Sequence, residues 1–308
     1  MRKVIGIGET ILDIIFREGQ PTGAVPGGST FNTMVSLGRM GTSAVFLTDL
    51  GDDHVGRVIR QFMGENGVDD TFVNFWPEKK SPVSLAFLDK DNNAQYEFYR
   101  EAFPSEREPR LPEMTADDIV VFGSYYALDP QTRPRVEALL TLARERGAII
   151  VYDVNFRANH RAEAVKLMGT LIENMEFADI IRGSNEDFNI LYGLTDSVSV
   201  YRGKTSFYCP RLVYTCGSEG VRLHAGSAEG RFYPSIPVAN LVSTIGAGDS
   251  FNAGIIYGLL KDDVHRADLD SLNAEGWDRI MGSALSFAAC TCGSMENYVS
   301  REFSIVNR

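Results

Sequence analysis

The chain has 308 residues, of which 44% are hydrophobic and 23% are charged, a composition typical of a soluble globular protein. Its formal net charge of −11 argues against a general binder of nucleic acids or of anionic membranes, because neither surface attracts an acidic protein. No apolar run approaches the roughly 20 residues of a membrane span, and Glu9 and Asp13 come too early for a signal peptide. We therefore expect a cytoplasmic protein of one or two domains.

The first predicted element is a short, buried strand over residues 4–8. Asp13 follows soon after it, close to the position where α/β folds bind ligands. Its carboxylate is suited to hold sugar hydroxyls, although a solvated loop aspartate is the simpler interpretation.

A glycine turn comes next and opens a helix. Gly27 and Gly28 permit a ligand to approach the backbone closely, and Ser29 or Thr30 is expected to cap the helix. Asn32, one turn into the helix, carries both a donor and acceptors, which suits a polyol.

A β-hairpin is predicted where the helical pattern gives way to strand-like residues. Residues 83–88 and 95–100 form its two strands, and Asp-Asn-Asn at 91–93 is typical of a turn. With residues 14–24 it is expected to form a small sheet beside the site, acting as a lid that excludes water. The candidates to face the ligand are Tyr96, Tyr99 and Arg100.

Two further buried strands are predicted at residues 119–123 and 148–152. The second is followed by Asp153, Asn155 and Arg157, which alternation places on one side. Three polar groups at the carboxyl end of an α/β strand favour a functional role.

The next segments alternate between strands and helices, as in an α/β chain. Residues 178–183 give a strand and turn, and a short helix follows as far as Tyr192. Residues 212–221 have the pattern of strand, glycine turn and strand. A long final helix is predicted over residues 277–290, with one face of small side chains that suits close packing.

The stretch at residues 243–251 reads Ser-Thr-Ile-Gly-Ala-Gly-Asp-Ser-Phe and carries the strongest chemical signal. An uncharged apolar run at 238–242 predicts a buried strand before it, and helical spacing follows it. The glycines allow backbone N–H groups to converge on an anion at the helix N-terminus. Asp249 at that position is placed to take a proton from a hydroxyl that attacks a phosphate, whereas an ordinary helix cap is the alternative.

Together these residues resemble the ribokinase, or PfkB, family of carbohydrate kinases over essentially the whole chain. Residues 27–32 and 50–56 resemble one family signature, residues 244–251 resemble the other, and residues 215–220 resemble the nucleotide turn. Within the family, residues 98–100 and 153–157 are most similar to fructokinases and 2-keto-3-deoxygluconate kinases.

The resemblance implies a ribokinase-like α/β fold: a three-layer α/β/α core with a central, mostly parallel sheet and a small β lid. It implies a single domain over residues 1–308, with the lid formed by about residues 12–25 and 80–103. The implied activity is the transfer of phosphate from ATP, with Mg²⁺, to a sugar hydroxyl.

The resemblance also implies roles for individual residues. Asp249 would be the catalytic base, and the backbone of Gly246, Ala247 and Gly248 would form an anion hole. The sugar would be bound by Asp13, Gly27, Gly28, Asn32, Tyr99, Arg100, Asn155 and Arg157. The nucleotide would be bound by Asn185, Thr215, Gly217, Gly220, Gly248 and Ala289.

Two departures from the family pattern affect bound metals. The usual aspartate before Thr244 is Ser243 here, which puts activation by potassium in doubt. The acidic element linked to magnesium is irregular, since counting from Asn185 reaches Phe188 and counting from Ser184 reaches Asp187. We prefer Asp187, acting through magnesium-bound water.

Several alternatives stay open from the sequence. We expect a fructokinase-like enzyme, with a 2-keto-3-deoxygluconate kinase or a nucleoside kinase of the same fold as the alternatives. A non-catalytic sugar-binding regulator of the same fold is the alternative outside enzymes. The edge strands of an exposed lid sheet can pair with another chain, so the sequence favours a homodimer through the lids. The four cysteines lack zinc-ligand spacing and are expected to be buried small residues in a reducing compartment.

Overall fold

The computed structural model describes residues 2–88, 94–104 and 109–308. The turn predicted at residues 91–93 lies outside the described residues. No helix in these three ranges is both long and apolar enough to cross a bilayer. All four cysteines are free thiols, and the expected burial holds for Cys209, whereas Cys216, Cys290 and Cys292 are partly exposed.

A large twisted sheet forms the centre of the molecule. Its middle strands pair in parallel, as predicted for an α/β chain, and two antiparallel strands complete one end. In spatial order the described strands are β14 (Arg231–Pro234), β13 (Gly220–Ala225), β12 (Arg211–Thr215), β11 (Ile180–Ser184), β10 (Ile149–Asp153), β9 (Ile119–Gly123), β1 (Lys3–Ile7), β4 (Ser43–Gly51) and β5 (Val68–Asp69), with β6 (Val73–Trp76) also on β4.

Helices cover both faces of this sheet, because alternate side chains of each buried strand point to opposite sides. They are α1 (Ser29–Arg39), α2 (His54–Glu65), α3 (Arg133–Arg146), α4 (Ala164–Phe177), α5 (Asn185–Tyr192), α6 (Ser197–Val200), α7 (Ala247–Lys261), α8 (Ala274–Cys292) and α9 (Arg301–Asn307). Val4 packs with α1, α2, α7 and α8 on one face. Its neighbour Ile5 packs with α3 and α4 on the other, which confirms the three-layer core.

A second, four-stranded sheet stands beside the central one. It contains β2 (Ile11–Arg17), β3 (Gln20–Gly27), β7 (Val83–Leu88) and β8 (Ala94–Tyr99), in the order β3-β2-β7-β8. The β2–β7 pair is parallel and the two outer pairs are antiparallel. We refer to this sheet as the lid sheet.

The predicted strand at residues 238–242 is wrong. Residues 235–246 form an extended segment without helix or strand, and Leu241 is 65% exposed. Pro234 and Pro237 flank its start and carry no N–H to donate to a neighbouring strand, so pairing stops there. Sequence patterning also gave no helix for α4 or α9.

The predicted cap of α1 is wrong as well. Gly28 is the residue that precedes the helix, and no side chain caps it. Ser29 instead lies inside the first turn, where its hydroxyl serves the site described next.

Candidate active site

The site is built around the N-terminus of α7, where Asp249 lies in the first turn. Gly246 precedes the helix with a φ of 78°, and a Cβ at this position would lie 2.1 Å from the carbonyl oxygen of Asn297. Only glycine fits such a left-handed, crowded position. The first turn of a helix leaves N–H groups without acceptors inside the helix and carries a partial positive charge. The turn can therefore hold an anion beside Asp249.

Helix α1 holds the Asp249 side chain in place. The hydroxyl of Ser29 donates to Oδ1 at 2.8 Å, and Nδ2 of Asn32 donates to Oδ2 at 2.8 Å. The hydroxyl of Thr33 donates to the Asp249 main-chain oxygen at 2.9 Å. These three contacts join segments more than 210 residues apart and fix the carboxylate on the surface between α1 and α7.

The surroundings of Asp249 raise its pKa to about 6. Burial is the largest cause, because a charged carboxylate loses hydration there. The negative charge of Asp153 adds to it, whereas the hydrogen bonds from Asn32 and Ser29 oppose it. A carboxyl group that is ionised at neutral pH and still holds a proton well is suited to general-base catalysis.

Behind this turn, a buried guanidinium joins three strand ends. Arg182 of β11 donates to Oδ1 of Asp153 at 3.0 Å and to Oγ1 of Thr215 at 3.1 Å. Arg182 is 9% exposed and Asp153 is 3% exposed. A Cβ added to Gly248 would lie 3.0 Å from the Arg182 guanidinium, so the arginine also packs against the anion-binding turn.

The three polar residues at the end of β10 have different surroundings in the structure. Asp153 bonds Arg182, and Asn155 adopts a φ of 35° and donates to Oγ of Ser124 at 2.7 Å. Arg157 is exposed. The pKa values of Asp249 and Tyr96 are both raised, mainly by burial, and the positive charge of Arg157 opposes this rise in each.

One face of the lid sheet is directed at the space between it and Asp249. Asp13, Ser84 and Phe98 stand opposite one another across three strands, and the Ser84 hydroxyl donates to Asp13. Alternation puts Tyr96 on the same face as Phe98, and their rings stack at 5.8 Å. The charge of Asp13 raises the pKa of Tyr96, after the larger effect of burial.

Tyr99 lies on the opposite face of β8, with its hydroxyl 3.3 Å from Glu97. Of the two tyrosines singled out in the sequence, Tyr96 is thus the one directed at Asp13. Arg100 forms an ion pair with Glu9 at 3.1 Å.

The glycine pair before α1 adjoins Glu9 and Thr10. Gly28 has a φ of 135°, and a Cβ there would lie 2.3 Å from the Glu9 carbonyl oxygen. The Gly27 carbonyl accepts the Thr10 hydroxyl at 3.1 Å. This packing brings the backbone of the turn against the start of the lid sheet.

Comparisons with known proteins identify the family of this chain. Residues 1–296 match the model of the pfkB family of carbohydrate kinases. The chain belongs to this family.

Its relatives include an aminoimidazole riboside kinase from Salmonella typhimurium, 27% identical over 96% of this kinase and 89% of that protein. Fructokinase-1 from Zea mays is 26% identical over 84% and 83% of the two chains. The structure of a fructokinase from Xylella fastidiosa with bound ATP superposes with a TM-score of 0.83, at 20% identity and 99% and 97% coverage. The kinase therefore has the ribokinase-like fold that its sequence implies.

On the other side of Asp249, the kinase presents a turn and an exposed segment. Thr215 ends β12, and the next turn closes when the Cys216 N–H donates to the Gly220 carbonyl at 2.8 Å, with Gly217 between them. Residues 241–245 run past the end of α8, where the Val242 N–H donates to the Cys292 carbonyl at 2.9 Å. Ala289 of α8 is partly exposed, and Leu241 and Ile245 expose apolar side chains.

Asp187 has a structural position in the kinase. One of its oxygens accepts the Phe156 N–H at 2.8 Å, and the other accepts the N–H and hydroxyl of Ser184 at 2.6 and 2.8 Å. It thereby forms a capping box at the start of α5, next to Asn185. No group of three or more histidine, cysteine or acidic side chains in the described residues could hold a metal ion.

Sequence reasoning missed Arg182, Ser29 and Thr33 as members of the site. Arg182 left one signal, because an arginine inside an otherwise apolar strand needs a buried partner. Ser29 and Thr33 left none, since their partner lies on a helix more than 210 residues away.

Proposed function

We propose that this kinase transfers the γ-phosphoryl group of ATP to a primary hydroxyl of a sugar, in the manner of a fructokinase, with Asp249 as general base. The observation that carries the proposal is the position of Asp249 in the first turn of α7, with a pKa of about 6 and both oxygens oriented by α1. A base and an anion-binding turn side by side are what phosphoryl transfer to an alcohol requires.

In the proposed reaction the sugar oxygen attacks the γ-phosphorus, and its proton passes to Asp249. The bond to the β–γ bridging oxygen breaks, and that oxygen leaves as part of ADP. The backbone of Gly246, Ala247 and Gly248, with the positive end of α7, stabilises the charge on the phosphoryl oxygens. The Ala247 N–H lies 3.3 Å from the Thr244 carbonyl, a weak bond that it can exchange for a phosphate oxygen.

The sugar is proposed to lie between Asp249 and the lid sheet. Asp13, Asn32, Asn155 and Arg157 border this space, together with the backbone of Gly27 and Gly28. The Oδ1 atom of Asn32 is buried without a hydrogen-bond partner in the described chain, so a sugar hydroxyl can donate to it. Tyr96 and Phe98 form an aromatic roof from the lid, and Arg100 borders the space through its pair with Glu9.

The nucleotide is proposed to lie across the turn after β12. The candidate residues are Asn185, Thr215, Gly217, Gly220, Gly248 and Ala289. Leu241 and Ile245 supply an exposed apolar surface for a purine base, which explains why these side chains are not buried.

Magnesium would arrive with the nucleotide phosphates, because this ion keeps several waters and takes few protein carboxylates. Asp187 is 5% exposed and accepts three hydrogen bonds, so its carboxylate would act on the ion through water. Ser243 uses its hydroxyl to accept the Ile245 N–H at 3.1 Å. We propose that potassium is not required.

Two molecules are proposed to associate through their lid sheets. The edge strands β3 and β8 each have one side without a strand partner in the described chain, and such edges favour pairing with another chain. Light scattering after size-exclusion chromatography would show a dimer, and a monomer at micromolar concentration would contradict this part of the proposal.

The direct test is ADP release with magnesium-ATP against fructose, 2-keto-3-deoxygluconate, ribose, tagatose and adenosine. We expect turnover with one or a few acceptors in the wild type and loss of that turnover in Asp249→Asn. If no compound in this set causes ADP release while ATP binding is measurable, an acceptor of these classes is contradicted. Undiminished turnover in Asp249→Asn would remove Asp249 from its role.

A further inference from the structure

A buried ion pair lies behind the anion-binding turn of α7, on two neighbouring strands of the central sheet. Asp153 ends β10, and Arg182 stands directly opposite it in the parallel register of β11. Their side chains therefore lie on the same face of the sheet, and Nη1 of Arg182 donates to Oδ1 of Asp153 at 3.0 Å. The position of this pair is fixed by the strand register and does not depend on a loop.

The guanidinium of Arg182 contacts two turns of the proposed phosphate site. Nη2 donates at 3.1 Å to Oγ1 of Thr215, the last residue of β12, after which the turn at residues 216–220 begins. The same guanidinium packs against Gly248, where an added Cβ would lie 3.0 Å from Nη2. A side chain at position 248 would crowd the guanidinium, so the glycine keeps this positive charge close to the anion-binding turn.

Arg182 keeps its charge in this buried position. Burial by itself would lower the pKa of the guanidinium, but the negative charges of Asp153, Asp187 and Asp249 outweigh burial and raise it. One buried cation thus stands among three carboxylates. Without it, phosphate groups at the turn would be repelled by these three acidic side chains.

The third nitrogen of the guanidinium is left unpaired. Nε of Arg182 is buried and has no hydrogen-bond partner in the described chain. A buried donor without an acceptor lowers stability, and such groups are uncommon in folded proteins. An apolar side chain could fill the same position without this loss. The unpaired donor therefore favours a role for the arginine beyond joining three strands.

Asp153 connects the ion pair to the base. Its second oxygen, Oδ2, lies 3.4 Å from the hydroxyl oxygen of Ser29, which donates to Oδ1 of Asp249 at 2.8 Å. A serine hydroxyl has one proton to donate, so the shorter contact with Asp249 is the stronger of the two. The negative charge of Asp153 consequently acts on the base at close range, across a single hydroxyl.

Other groups around Asp249 also influence it. The pKa of Asp249 is raised mainly by burial, the charge of Asp153 adds to this rise, and the charge of Arg157 opposes it. Arg157 is exposed, so solvent screens its charge more than that of the buried pair. On α1, Ser29 and Asn32 are neutral donors to the carboxylate. The buried Asp153 and Arg182 thus act on the base with opposite charges from fixed positions.

We propose, resting on the proposed function, that Asp153 and Arg182 are a pair of positioning residues for phosphoryl transfer. Arg182 holds a permanent positive charge behind the turn that binds the phosphoryl group, and Asp153 keeps this arginine in place while facing the base across the Ser29 hydroxyl. Neither residue touches the reacting atoms. The pair sets two properties together: the positive field at the phosphoryl oxygens and the pH at which Asp249 becomes an active base.

The test is the pH profile of kcat in two variants that break the pair from opposite sides, at saturating magnesium-ATP and acceptor. Asp153→Asn removes a negative charge beside Asp249, so the acidic limb of the profile should move to lower pH by about one unit. Arg182→Met removes a positive charge, so the limb should move to higher pH by about the same amount. Structural damage alone predicts no such opposition, because each variant leaves a buried partner unpaired.

The size of kcat tests the positive field at the turn. On the pH-independent part of the profile, Arg182→Met should lower kcat by about 100-fold, as the loss of one group that stabilises an oxyanion does. Arg182→Lys keeps the charge and should stay within about tenfold of the wild type. KM for ATP should change by less than about threefold in both variants, because the field acts mainly on the transition state.

Asp179→Asn is the matched control. Asp179 is 8% exposed and pairs with Arg266 at 2.8 Å, just before the amino end of β11. This variant also unpairs a buried ion pair, so it should lower the free energy of unfolding, but it should leave the acidic limb at the wild-type pH. If Arg182→Met does not fold, Asp153→Asn still decides, because asparagine keeps the size and shape of the side chain. A limb at or above the wild-type pH in Asp153→Asn overturns the inference.

The outcomes separate this inference from the proposed function. If Asp249→Asn abolishes turnover while the limbs of Asp153→Asn and Arg182→Met stay in place or move in the same direction, the proposed function stands and the inference is wrong. Equal loss of kcat in Arg182→Lys and Arg182→Met overturns the role of the positive charge. If Asp249→Asn retains full activity, the proposed function fails, and the inference fails with it.

Discussion

The α7 turn and the lid sheet border the same space but are built in opposite ways. Asp249 is oriented by Ser29, Asn32 and Thr33, and the buried Arg182 network packs behind its turn. Tyr96 and Phe98 of the lid are 42% and 55% exposed, and their rings stack on one another. On the proposed function, we therefore expect the core to fix the chemical step and the more exposed lid sheet to influence the choice of acceptor.

Asp249→Asn tests most directly whether the chemical step depends on the α7 turn. We expect kcat to fall by about 10³-fold, because general-base catalysis contributes on this scale, while ATP binding stays close to that of the wild type. Asp52→Asn is the matched control, since Asp52 is exposed and its carboxylate is paired with Arg57 at the surface. A loss of nucleotide binding equal to the loss of kcat would indicate a disrupted turn instead of a lost base.

Arg182→Met should damage both stability and rate. It leaves the buried Asp153 without its partner, which is expected to lower the free energy of unfolding by about 3–5 kcal/mol. Misplacement of the turn should lower kcat in the folded protein by about 100-fold. Urea titration and steady-state kinetics would measure the two effects.

Arg57→Met is the control for that experiment. Arg57 forms an ion pair with Asp52 at 3.6 Å, and both side chains are more than half exposed. Exposed pairs contribute about 1 kcal/mol or less. Equal destabilisation by both substitutions would show that the Arg182 network has no special role.

The raised pKa of Asp249 predicts opposite effects of pH on rate and stability. kcat should rise with pH through about 6, as the carboxyl group loses its proton. The folded pKa lies above the ordinary value of 3.8, so the folded protein holds the extra proton between those values. The free energy of unfolding should therefore fall as pH rises from about 4 to about 6, by at most about 3 kcal/mol.

Rate profiles and urea titrations of the wild type and Asp249→Asn at pH 5 and pH 8 would check this prediction. The substitution should remove this part of the pH dependence of stability. A rate limb that stays near pH 4 would contradict the raised pKa.

The two tyrosines of β8 test which face of the lid sheet contributes to acceptor binding. Tyr96→Ala should raise KM for the acceptor by about tenfold, or about 1.4 kcal/mol, with little change in KM for ATP. Tyr99→Ala on the opposite face should change neither constant. A larger increase in KM for the acceptor with Tyr99→Ala than with Tyr96→Ala would indicate that the opposite face of the lid sheet contacts the acceptor.

The smallest expected effect concerns potassium. Ser243 supplies a hydroxyl where the family resemblance implies an aspartate, and ion sites weaken when a charged ligand is lost. Exchanging potassium for sodium or tetramethylammonium should change kcat by less than about twofold. Strong activation by potassium would show that other groups form the ion site.

Much of the fold was predictable because its signals are local. At β1 and β10, an apolar run followed by polar residues predicted a buried strand and its end. The glycine pattern before Asp249 predicted a helix N-terminus. The strand-end rule placed Asp153 at the carboxyl end of β10, where the structure has it, whereas Asp13 lies within β2 of the lid sheet.

The missed features depend on distant partners. The run at 238–242 is apolar enough for a strand, but no neighbouring edge accepts it beyond Pro234 and Pro237. Arg182 acquires its meaning only from Asp153 and Thr215 on the adjacent strands. Asp49 accepts hydrogen bonds from Tyr126 and Arg135, which lie 77 and 86 residues further along the chain, and no local pattern reveals these contacts.

The connections of the lid sheet link its motion to the base. Residues 8–10 join β1 to β2, and β3 passes through Gly28 directly into α1, whose first turn holds Asp249. A movement of the lid sheet would therefore act, through the connection from β3, on the same short helix end that orients the carboxylate. We expect closure over an acceptor to bring the base into line, and the hydrolysis of ATP by water to stay slow while the acceptor is absent.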